Sequence, residues 1–139
     1  MPNAGGQTQL IWDCECAGTA QAQSGSCLKI GPQTDWSAER LLVAAAESDL
    51  MSVFMRLARE AGLEVLGYIS AAESDLHAEA AGRPRVVVRP CIVVGREEDR
   101  ARVGRLVAQT GDHSPIARAL GDTLQFQAEV VVVPPAAPD

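Results

Sequence analysis

Between Ser37 and Phe54 the chain runs Ser-Ala-Glu-Arg-Leu-Leu-Val-Ala-Ala-Ala-Glu-Ser-Asp-Leu-Met-Ser-Val-Phe, a helical pattern whose apolar stripe contains a carboxylate. Leu42, Ala46, Val53 and Leu57 recur at helical spacing and mark the face to be buried. Asp49 falls on that face, between Ala46 and Val53. An ionised carboxylate there must be paired, reached by water or neutralised, because burying it alone costs several kcal/mol. A helix of this length also needs an extended surface to cover it. Asp49 is expected among Ala46, Leu50 and Val53 with few charged neighbours, a dry acid or one hydrated at the helix edge.

The rest of the sequence bounds the class. A chain of 139 residues, 47% hydrophobic, is expected to form one domain and to bury roughly two-thirds of its extended surface. A net charge of -6 disfavours nucleic acid, whose phosphates are bound by Lys and Arg. No apolar run is long enough to span a membrane, and the first residues lack the basic and apolar regions of a signal peptide. These features point to the cytoplasm, where the four cysteines are expected to stay reduced.

Residues 8–17 read as a first strand, 18–25 as a polar turn or loop, and Ser26–Ile30 as the return strand. The long helix has Asp35 or Ser37 as its cap and Gly62 as its stop. Val65–Glu73 alternates as a strand does, and Asp75–Arg85 is a polar connection or a further short strand. Val86–Val94 is β-branched, although Pro90 requires an edge or a bulge. Glu97–Ala108 is a second helix, acidic at its start. Ser114–Leu120 is a third, with Ser114 as cap, Pro115 in the first turn and Gly121 as stop. Thr123–Val133 is the last strand. Residues 1–6 and 134–139 are expected to be disordered. The order predicts an α+β fold rather than a wound parallel sheet.

Three segments carry a resemblance to a known family. Ser37-Ala38-Glu39-Arg40-Leu41-Leu42-Val43-Ala44-Ala45-Ala46-Glu47-Ser48-Asp49 resembles the first long helix of the OsmC/Ohr proteins, bacterial peroxidases that reduce organic hydroperoxides with a pair of cysteines. Val65–Glu73 is similar to the strand after that helix. Ser114-Pro115-Ile116-Ala117-Arg118-Ala119-Leu120 resembles the family's Cys-Pro-Ile-Ser-x-Ala-Leu. On that resemblance Glu39 matches the family's glutamate, while Asp49 and Ser114 stand where the two reactive cysteines stand. The resemblance implies an OsmC-like fold, an intertwined homodimer in which β-sheets from both chains wrap two long central helices, with the reactive site at the subunit boundary. It implies no cofactor. The family's glutamate orients an arginine from the first loops, and here no Arg precedes Arg40.

Each candidate residue has two readings. Glu39 either serves the helix macrodipole or belongs to the pocket. Asp49 is either hydrated or a partly buried general acid or base. It cannot replace a thiolate in peroxide reduction, which passes through a sulfenic acid and a disulfide. Ser114 is accounted for as a helix cap, and the contiguous Asp112-His113-Ser114 is a poor triad because triad members converge from separate segments. Cys14-Glu15-Cys16 sets two thiols on one face of a strand, with Cys27 on the expected hairpin partner. A cross-strand couple and a soft-metal site are conceivable there. No fourth ligand is evident, so ordinary core cysteines are favoured and no metal site is assigned. Cys91 reads as buried and inert. The functional expectation is an OsmC/Ohr-like homodimer without the thiol peroxidase couple, holding a small apolar ligand in an interface pocket or serving as a scaffold. The alternative is a hydroperoxide reductase whose redox pair has moved to Cys14, Cys16 or Cys27.

Overall fold

The computed structural model describes residues 6–77 and 83–134. The chain divides into two compact units, Met1–Leu42 and Val43–Asp139. The expectation of disorder at 1–6 and 134–139 lies almost wholly outside the described residues, as does the middle of the Asp75–Arg85 connection.

The first unit is a three-stranded antiparallel sheet of β1 (Thr8–Cys14), β2 (Ala17–Ala22) and β3 (Cys27–Ile30), in that order. The segment read as a loop is therefore the central strand. β2, Ala-Gly-Thr-Ala-Gln-Ala, lacks the apolar alternation that marks a strand and is held by its neighbours on both edges. A side chain at Gly18 would meet the Ile11 carbonyl oxygen and Leu10 Cδ1, each at 3.0 Å, so glycine lets β1 lie close. The register of β1 slips by one residue between Trp12 and Cys14, a β-bulge just before the turn.

The helix α1 (Ala38–Glu60) starts where Ser37 Oγ accepts the Arg40 backbone N–H at 3.2 Å, and it stops at Gly62, whose φ of 69° needs no Cβ. Its buried residues are Ala46, Leu50, Val53, Phe54 and Ala58, so the stripe centres one position away from Leu42 and Leu57, which are half-buried.

The second unit is a mixed sheet in which β5 (Arg85–Val94) is central. β4 (Gly67–Asp75) pairs with it antiparallel on one side, while β6 (Leu124–Phe126) and β7 (Glu129–Val132) pair with it in parallel on the other. The single last strand expected from the sequence is thus broken in two. The break explains Pro90, which lies in a central strand rather than at an edge. β6 covers Val86–Val88 and β7 covers Cys91–Val94, so the missing N–H falls where neither strand needs it.

Two helices follow β5: α2 (Asp99–His113), longer than expected, and α3 (Pro115–Leu120). One core joins Phe54 and Ala58 to Ile92, Val94, Val103 and Leu106. A second joins Ala46 and Leu50 to Val86 and Val88, with Ile116 and Leu120 of α3 packed against it. α1 therefore meets α2 along one stretch and α3 along the other, and Asp49 lies on the stretch that meets α3.

Candidate functional site

Asp49 and Ser114, 65 residues apart in sequence, are in direct contact: the Ser114 hydroxyl donates to Asp49 Oδ2 at 2.5 Å. The Ile116 backbone N–H donates to the same oxygen at 3.2 Å. Asp49 is half-buried and Ser114 fully buried. The expectation of an unpartnered acid is corrected here. The carboxylate finds its donors at the first turn of α3, where free backbone N–H groups favour an anion.

Ser114 is the joint between helices. Its backbone N–H donates to the Thr110 carbonyl oxygen and closes α2. Its Oγ accepts the Ala117 N–H at 3.1 Å and opens α3, as the Ser-Pro signal predicted. The same hydroxyl spends its proton on Asp49. A hydroxyl suits both duties, being donor and acceptor at once, whereas a thiol does each weakly.

His113 takes no part. It is exposed at the end of α2, and its Nδ1 lies 2.8 Å from the Gln109 carbonyl oxygen, so no triad forms with Ser114. Glu39 lies in the first turn of α1, in the N-terminal unit, where its charge suits the helix dipole.

The cysteines depart furthest from expectation. Cys14, Cys16 and Cys27 are exposed rather than core residues, and Cys91 is half-buried. Cys14 ends β1 and Cys16 lies in the turn after it, so they do not share a strand face. Cys27 pairs with Gln21 at the far end of β2, away from Ala17 and the Cys14 turn. The three thiols are not one cluster. Lys29 borders a depression of about 420 Å³ together with Cys14 and Cys16. Among the described residues, no three or more His, Cys, Asp or Glu side chains are grouped to hold a metal ion.

Sequence reading passed over Tyr68 and Ser70, which face inward from β4. Tyr68 stacks obliquely on Phe54, with ring centroids 5.9 Å apart. Its hydroxyl and Ser70 Oγ are buried, with no hydrogen-bond partner among the described residues. Burial, and secondarily the charge of Glu47, pushes the Tyr68 phenol up to about 12. The available signal was the two-residue period of Tyr68, Ser70 and Ala72, which puts all three on the face toward α1.

The sequence matches no family model and no curated protein. Solved structures do match. An OsmC-like protein of unknown function from Vibrio cholerae superposes with a TM-score of 0.75 at 19% identity, covering 92% of this chain and 99% of its own. An OsmC-like protein from Mycoplasma pneumoniae gives 0.78 at 8% identity, over 94% and 99%. The organic hydroperoxide resistance protein OhrB of Bacillus subtilis gives 0.65 at 17% identity, over 91% and 98%. Such agreement along nearly the whole length, at identities this low, identifies the architecture: this chain has the OsmC-like fold.

Proposed function

We propose that this chain is an OsmC/Ohr-type protein without thiol peroxidase chemistry, a cytoplasmic homodimer holding a small apolar molecule in a pocket near Asp49 at the subunit boundary. The likeness to a hydroperoxide resistance protein supports a stress-response setting. The observation that carries the reading is the Ser114–Asp49 contact at 2.5 Å. The two positions that resemble the family's cysteines touch, as a disulfide-forming pair must, yet both atoms in contact are oxygen. An O–H···O⁻ pair stores no electrons: it forms neither a sulfenic acid nor a disulfide. Its contribution here is to hold α1, α2 and α3 together beside the core formed by Ala46 and Leu50, on which Ile116 packs.

The dimer has separate support. All seven residues of β1 are exposed, with Leu10 at 68%, Ile11 at 56% and Trp12 at 73%. A strand apolar and open on both faces calls for a covering surface. No helix among the described residues is long and apolar enough to cross a membrane.

The test is consumption of cumene hydroperoxide with a dithiol reductant. The purified protein is expected to give no turnover above that of the reductant alone. Turnover lost on Cys14→Ser or Cys16→Ser would overturn the reading in favour of a relocated thiol pair; Cys27, at the far end of the sheet, is not part of that alternative.

A further inference from the structure

The connection between β1 and β2 carries a thiol on each side of Glu15. Cys14 closes β1 opposite Ala17, and Glu15 and Cys16 form the two-residue turn. Glu15 has a φ of 48°, the left-handed conformation that tight hairpins require and that residues other than glycine rarely adopt. The turn is braced on both flanks. The Trp12 indole N–H donates to the Glu15 carbonyl oxygen at 2.8 Å, and the Thr19 hydroxyl donates to the Asp13 carboxylate at 2.6 Å. Both cysteines are exposed, and both border the depression of about 420 Å³ whose other wall includes Lys29 and Thr34. Thr34 is itself fixed, its hydroxyl lying 2.9 Å from the Gly31 and Trp36 carbonyl oxygens.

We propose that Cys14 and Cys16 form a two-thiol chelating site for a soft, thiophilic centre of the trivalent arsenical class. Thiolates select soft centres over hard ones. No third His, Cys, Asp or Glu among the described residues is grouped with the pair, so the four-ligand set of a structural zinc site is not available. Trivalent arsenic carrying one organic group needs two thiols. With an organoarsenous oxide, R–As=O, two As–S bonds form while both S–H bonds and the As=O bond break. The two protons and the oxide oxygen leave as one water, and neither arsenic nor sulfur changes oxidation state. The second As–S bond closes within one turn, at an effective concentration that intermolecular capture cannot match, so the chelate is about 10²–10⁴-fold tighter than either thiol alone. This inference is independent of the proposed function, because it concerns no peroxide and neither Asp49 nor Ser114.

The experiment titrates the full chain with phenylarsine oxide, reading free thiols, intact mass and the peptide that carries arsenic. The expected result is one equivalent bound, two of the four thiols lost, resistance to excess monothiol and release by ethanedithiol. Cys14→Ser and Cys16→Ser should each weaken binding at least about a hundredfold and leave an adduct that a monothiol strips. Cys27→Ser and Cys91→Ser should leave the complex intact. Arsenic mapped to Cys27 or Cys91, a complex joining two chains, or a wild-type adduct that monothiol removes as readily as the single variants' would overturn the proposal. Should either serine variant fail to fold, arsenic mapping on the wild-type chain decides alone.

Discussion

Removing the Asp49 carboxylate strands two donors at once, the buried Ser114 hydroxyl and the Ile116 N–H. Hydrogen bonds to charged groups contribute about 1.5–3 kcal/mol, so Asp49→Ala should destabilise by about 2–3 kcal/mol. Asp49→Asn keeps an accepting oxygen but loses the charge at the start of α3, and about 1 kcal/mol is expected. Urea unfolding at neutral pH, with an unchanged m-value, measures both; an Asn variant as stable as the wild type would mean the charge contributes nothing. Spacing alone put Asp49 on the buried stripe, whereas it lies half-buried at the edge of that stripe, and spacing gave no view of its partners, which arrive from 65 residues away. Tyr68 supplies a pH test. The unfolded chain releases the phenol proton near 10.0 and the folded chain near 12, so between those values the native state binds more protons. Stability should therefore be at its full value below pH 10 and fall as pH rises toward 12. Tyr68→Phe should remove that component and, by deleting a buried hydroxyl that has no partner among the described residues, cost little or nothing at neutral pH. Tyr68 is the sole tyrosine, so phenolate absorbance reads its titration directly.

Among the elements, the helices were legible because their ends are written locally. Ser37, Gly62, Ser114 and Gly121 each do within one turn what the residue type predicts. β2 and the divided last strand were not, because both depend on neighbours. β2 is a run of small residues made into a strand by pairing on both sides, and β6 and β7 part where Pro90 has no N–H to give. The start of α2 holds a further long-range device. Asp99, almost fully buried, takes Arg96 at 3.4 Å and Arg102 at 3.1 Å, while Arg102 also donates to the Ala61 carbonyl oxygen just past α1 at 2.6 Å. Asp99→Ala should release that link between the ends of α1 and α2 and destabilise by about 2 kcal/mol, the scale of charge-assisted hydrogen bonds whose cations remain partly hydrated. Thermal unfolding checks it, and Arg96→Ala, which removes only the more exposed partner, should cost less.

For the whole molecule, the decisive feature is the open first strand. Leu10 and Trp12 share one face of β1 and Ile11 takes the other. If a second chain covers them, Leu10→Lys with Trp12→Lys should convert a dimer sedimenting at about twice the mass of one chain into a monomer. A wild-type chain that already sediments as a folded monomer would remove the support for a subunit-boundary pocket. The oxygen pair has a different consequence, for how such a sequence changes over generations. Ser114 closes one helix, opens the next and grips a third through Asp49, so exchanging either residue alone for cysteine weakens a structural joint before any disulfide can form. Starting from the oxygen pair, each single exchange for cysteine is therefore expected to cost stability before the second can follow.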